Sequence, residues 1–109
     1  MSGALFLAQR ATAAILAFAV AAHLVMIVYA ERAGLTAGAV LARTHHNAGL
    51  LAFYALFAAA ASIHAPIGLR NILAEWAGWR GRPFDLAMAG FGLALLALGL
   101  RAAYGVYAG

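Results

Sequence analysis

The sequence predicts an all-α membrane protein of three transmembrane helices, running up, down and up and packing with partner membrane helices. Two observations carry that expectation. Of the 109 residues, 67% are hydrophobic and only 9% are charged, where an ordinary soluble domain carries about a quarter charged residues. A chain so short and so sparsely charged cannot cover a water-facing surface. The apolar residues also gather into three stretches, each reaching the roughly 20 residues that cross a bilayer. The length suits one membrane domain over residues 1–109.

The first span is expected over about residues 4–30 and contains Gln9, Arg10, Thr12 and His23. It is longer than a signal-peptide core and lacks a convincing cleavage site, so it reads as a retained helix. The second covers about residues 47–72, after a short mixed piece, "GLTAGAVLARTHH". The third covers about residues 84–107 and carries Arg101 as its one charge besides Asp85 at its start. The connectors "ERAG" and "WAGWRGRP" supply glycine, proline and charge, the expected punctuation.

Three crossings put Arg10, Arg70, Arg80 and Arg82 on one side, and Arg32 and Arg43 on the other. The excess of positive residues favours a cytoplasmic N-terminus. The richness in alanine resembles the usage of a GC-rich bacterium, so the expected location is a bacterial inner membrane. Tyr29, Trp76, Trp79, Tyr104 and Tyr107 fall near span ends, as interfacial aromatics do. Small residues recur four apart: Ala13, Ala17 and Ala21, then Ala55 and Ala59, then Gly90 and Ala94. Such stripes let helices approach closely in lipid. Three helices alone make a thin bundle, so a second membrane chain is expected.

The net charge of +4 comes from seven arginines with no lysine. They are scattered and form no basic face, which argues against nucleic acid. Cysteine is absent, which excludes disulfides, thiolate metal sites and covalent haem attachment. No carboxylate lies in the interior of a span, against the need of a proton-coupled transporter.

Polar residues at membrane depth are costly and usually face the inside of a bundle. The informative ones are Arg10, His23, His45, His46, His64, Arg70, Asn71 and Glu75. Neutral histidine is a common ligand of haem iron, and a b-type haem held by histidines is the natural candidate. His64 stands out, in "SIHAPIGLRNILAEW". Gly68, one turn later, leaves room for a flat macrocycle. Arg70 and Arg10 would lie near the same membrane face, where they could neutralise propionates. Pro66 removes one helical hydrogen bond and is expected to bend the helix. The competing reading is a buried histidine bonded to a neighbouring helix.

The stretch "HAPIGLRNILAEW" resembles the second-helix motif of the cytochrome b membrane anchors of the succinate dehydrogenase and fumarate reductase (complex II) family. That motif has histidine, then glycine, arginine and an acidic residue, matched by His64, Gly68, Arg70 and Glu75. "QRATAAI" is similar to the segment that opens the family's first helix, with Arg10 and Thr12 matching. Gln9 and Ala13 depart from it. The resemblance implies a haem b-binding anchor that passes electrons between flavoprotein and iron–sulfur subunits and membrane quinone, ubiquinone or menaquinone. It implies His64 as an axial iron ligand, and Arg10, Thr12 and Trp76 near the quinone. Gln9 and Asn71 stand where many members have histidines near the propionates.

His23 lies thirteen residues after Arg10, hence about 20 Å further across the membrane. The resemblance allows it a second haem near the outer face, with His45 or His46 at the right level. A bond to a backbone carbonyl is the alternative. At the level of His64 this chain supplies one histidine, so a haem with two axial histidines needs a second chain, a related subunit or a copy. A haem-free structural or assembly subunit of a larger membrane complex is the second function the sequence allows.

Overall fold

The computed structural model describes residues 2–109. The chain forms α1 (Gly3–Ala33), α2 (Ala37–Thr44), α3 (Ala48–Trp76) and α4 (Arg82–Ala108). Three of these, α1, α3 and α4, are long and apolar enough to cross a membrane. The protein is therefore an all-α, multi-pass membrane protein. The spans run a few residues beyond the expected limits except at the start of α3, which begins at Ala48. Ser2 caps α1 by accepting from the Leu5 N–H at 3.2 Å, and Asn47 caps α3 by accepting from Leu50 at 3.0 Å. Such caps satisfy donors that a helix start otherwise leaves bare. Pro83 sits in the first turn of α4, where a missing N–H costs nothing.

The mixed piece after the first span is itself helical. Thr36 caps α2 by accepting from Ala39 at 3.1 Å. Arg43 ties α2 to the end of α1, donating from Nη2 to the Gly34 carbonyl at 3.0 Å and lying over the Tyr29 ring. Buried Thr44 donates to the Val106 carbonyl of α4 at 2.9 Å. The short helix thus joins the ends of two spans on one side of the bundle.

α3 is the central element. It packs on α1 along one side and on α4 along the other, while α1 and α4 meet only glancingly. Buried apolar side chains are limited to Ala19, Ala60, Pro66 and Ala103 among the described residues, with Phe18, Leu7 and Val25 among the exposed. Lipid tails are as apolar as leucine, so helices in a bilayer meet through small residues that permit close packing. The α3–α4 seam shows this directly. A Cβ at Gly92 would fall 2.8 Å from the Ser62 carbonyl oxygen, and one at Gly99 would fall 2.6 Å from the Ala58 Cβ. Both approaches need glycine. Pro66 has no N–H to offer the Ser62 carbonyl four residues back, and its ring packs beside Gly92 at the same point.

Within the chain, the expected stripes are used only in part, with Ala55 and Ala59 half-buried. A Cβ at Gly90 would meet nothing within 4 Å, and Ala94 is exposed. Ala13, Ala17 and Ala21 are exposed as well, leaving Thr12 and Ala19 as the buried residues of α1. Pro66 lies inside one uninterrupted helix.

Candidate functional site

The polar residues of the α1–α3 seam meet at Thr12 and His64. Thr12 is 6% exposed, and its Oγ1 donates to the Ala8 carbonyl at 2.7 Å, with the Gln9 carbonyl at 3.2 Å. His64 Nδ1 lies 3.3 Å from the same oxygen. A threonine hydroxyl has one hydrogen and two lone pairs. With that hydrogen on the Ala8 carbonyl, the shortest of these contacts, a neutral His64 would donate through Nδ1–H and Thr12 would accept. The imidazole is then the tautomer with a lone pair on Nε2. Histidines that bind metal have their second nitrogen held in this way by an acceptor.

Gly68 lies one turn after His64 on the same side of α3. A Cβ there would lie 3.4 Å from the Gln9 Nε2, an ordinary contact, so the Gln9 amide lies beside Gly68. Gln9 Oε1 is buried and accepts no hydrogen bond. Buried polar atoms are nearly always satisfied, so this oxygen is an acceptor available to a water or another group. The seam therefore offers a positioned nitrogen ligand at His64, a nearby acceptor at Gln9 and a side chain whose movement would clear the face of Gly68. The donor chemistry of His64 suits a haem iron, while the Gln9 side chain occupies the space beside Gly68. The seam supplies a single axial nitrogen.

The other residues of the motif separate. Arg70 is six residues after His64, about 120° away around the helix. It faces α4, where Nε donates to Asp85 Oδ1 at 2.9 Å. Arg10 is exposed on α1 with its guanidinium over the Phe6 ring at 5.7 Å. Asn71 is half-buried on α3, and Trp76, at the last position of that helix, is 86% exposed. The structure thus joins Thr12, His64, Gly68 and Gln9, and leaves Arg10, Arg70 and Trp76 outside that group.

His23 occupies a second place, toward the opposite end of the seam. Its ring stands edge-on to Tyr54 and Phe57, each with centroids 5.7 Å away. Its Nδ1 is buried without a hydrogen-bond partner, so the expected alternative of a carbonyl bond through that nitrogen is not made. The ring borders a cavity of about 410 Å³ with Thr44, Tyr54, Phe57 and Ala103. His45 and His46 are exposed and stack on one another at 3.8 Å, with His46 beside Tyr107. Neither shares a cavity with His23. Among the described residues no three histidine or carboxylate side chains gather as a metal cluster.

Sequence reasoning missed Tyr54 and Phe57 around His23, and Asp85 as the partner of Arg70. Helix register was the signal available. Once Thr12 opposes His64 on antiparallel helices, His23 must fall opposite residues near 53. Comparison with known families, with characterised proteins and with solved structures returns no match for this chain.

Proposed function

We propose that the chain is a haem b-binding membrane anchor, passing electrons between a flavin and iron–sulfur dehydrogenase of the succinate dehydrogenase or fumarate reductase type and membrane quinone. The observation that carries this reading is the 3.3 Å contact between Thr12 Oγ1 and His64 Nδ1, which, with Nδ1 as the donor, leaves a lone pair on Nε2 for a ligand. Bound haem b supplies one-electron transfer. His64 would hold the haem iron through Nε2, and Thr12 would keep its ring in the ligating tautomer. Gln9 offers its unpartnered oxygen beside Gly68. A second nitrogen ligand would come from a second membrane chain. The exposed small residues Ala13, Ala17 and Ala21 give that chain a face on α1 that backbones can approach. Arg10, exposed on the same helix, is the cation available to a quinone carbonyl, and Trp76 borders the same membrane face. The expected setting is a bacterial inner membrane with the N-terminus in the cytoplasm.

Reduced-minus-oxidised spectra of membranes holding the intact complex test the reading. The wild type should show a b-type band, and His64→Ala should lose it while the chain stays in the membrane. A band unchanged by His64→Ala would sink the assignment. A complex with one copy of this chain and no other membrane subunit would sink the shared-ligand arrangement.

A second reading, a haem-free structural or assembly subunit, draws on a different observation. The Gln9 amide already fills the gap over Gly68, so the seam is packed without a cofactor. An intact purified complex with no haem would favour it.

A further inference from the structure

The α3–α4 side of the bundle carries a feature unrelated to the histidines. A groove of about 640 Å³ runs between α3 and α4, with Leu5 of α1 at its edge. Its walls are apolar along Ile63, Ile67, Met88, Leu93 and Leu96, and Arg70 and Asp85 stand at one end. That end lies where α3 finishes and α4 begins, beside the exposed Trp76 and Trp79. Exposed tryptophans there mark the level of the lipid headgroups. From Asp85 to Leu96 the groove follows α4 for about 16 Å at helical rise. Half of a hydrocarbon core is about 15 Å. The groove therefore has the depth of one leaflet, charged at the headgroup level and apolar below it.

The charged end has a definite pattern. Arg70 uses Nε on Asp85 Oδ1 in a single contact. An arginine has five N–H donors and a carboxylate has two oxygens, so both Nη atoms of Arg70 and Oδ2 of Asp85 remain for a ligand. Their side chains are 35% and 52% exposed, open to the groove mouth. The pair offers donors for an anion beside an acceptor for a cation that has N–H groups. An anionic headgroup meets only the first. A choline headgroup has no N–H for the second. A phosphate joined to a primary ammonium meets both, through charge-assisted hydrogen bonds.

We propose that this groove binds one phosphatidylethanolamine molecule, its phosphate on Arg70, its ammonium on Asp85 and one acyl chain along Ile63, Ile67, Leu93 and Leu96. The site is independent of the haem reading, since His64, Gln9 and Gly68 do not line the groove. It gives the complex a fixed lipid at the edge of the α3–α4 seam.

The test is native mass spectrometry of the intact complex, delipidated in detergent and titrated with phosphatidylethanolamine, phosphatidylcholine and phosphatidylglycerol. One hydrogen bond to a charged group supports a preference of about tenfold. Phosphatidylethanolamine should bind about tenfold more tightly than either other lipid. Asp85→Asn should erase its advantage over phosphatidylcholine while both still bind. Arg70→Gln should weaken all three, and Leu93→Trp, which plugs the groove, should remove the specific site. Helical content by circular dichroism confirms that each variant is folded, and Leu93→Trp keeps the test open if a charge variant is not. Equal affinity for the three lipids would overturn the proposal. So would a preference that survives both Asp85→Asn and Leu93→Trp, or a groove covered by a partner helix that admits no lipid.

Discussion

Thr12 and His64 fix one another across the α1–α3 seam. The Thr12 hydroxyl gives its hydrogen to the Ala8 carbonyl at 2.7 Å, and the His64 Nδ1–H, 3.3 Å away, bonds the oxygen from the other side. The arrangement ties a backbone bond in one helix to the tautomer of a histidine in another. Thr12→Val removes the acceptor and keeps the shape. The haem content of the purified complex should fall about tenfold or more, the range seen when groups that orient metal ligands are lost. Thr12→Ser should restore it. Haem per protein, measured by absorbance, decides the point, and equal content in wild type and Thr12→Val would show that Thr12 does not position His64.

Glycines in α4 differ sharply in what they permit. Gly92→Ala and Gly99→Ala would each drive a methyl group into α3, against the Ser62 carbonyl and the Ala58 side chain. Overpacking of this kind costs about 1–3 kcal/mol. Gly90→Ala and Gly105→Ala meet nothing within 4 Å and should be neutral or stabilising by up to about 1 kcal/mol, through better helix propensity. Reversible unfolding in mixed detergent micelles separates the two pairs. Four equal responses would mean that the α3–α4 seam is looser than the geometry requires.

His23 carries a buried nitrogen with no partner, and an unsatisfied buried group costs about 1–3 kcal/mol. His23→Phe replaces it with a ring suited to the edge-on contacts of Tyr54 and Phe57. In cofactor-free protein the substitution should raise the unfolding midpoint. A lower midpoint would show that His23 has a stabilising bond to lipid, water or a partner chain.

The chain has no cysteine, so single introduced thiols report its crossings cleanly. Ser2→Cys and Arg80→Cys lie at the same end of the bundle, and Leu35→Cys at the other. A membrane-impermeant thiol reagent applied to intact cells should label Leu35→Cys and leave the first two unlabelled until the membrane is opened. Labelling of Ser2→Cys from outside would reverse the proposed orientation.

The spans were legible because a long apolar run has few other uses. The short α2 was not, although Thr36 as a cap and the spacing of Val40, Leu41 and Thr44 contained it; its eight residues are too few to stand out from a connector. The glycines that matter were hidden for a different reason. A chain rich in alanine and glycine offers many small-residue pairs, and only the register of α3 against α4 selects Gly92 and Gly99 over Gly90. The row from His64 to Arg70 was read by depth and lacked the angle around the helix. His64 faces Thr12, and Arg70 faces Asp85. One long-range pair, had it been known, would have set both.

Because α1 and α4 each lean on α3 and hardly on one another, the two sides of the bundle differ in how they can give way. The α4 side has backbone against backbone at Gly92 and no slack. The α1 side is closed at this level by side chains, with Gln9 over Gly68. A flat guest bound at Nε2 of His64, as proposed, would require Gln9 to swing or α1 to tilt, like a door hung on one jamb, with α3 and α4 together as its frame.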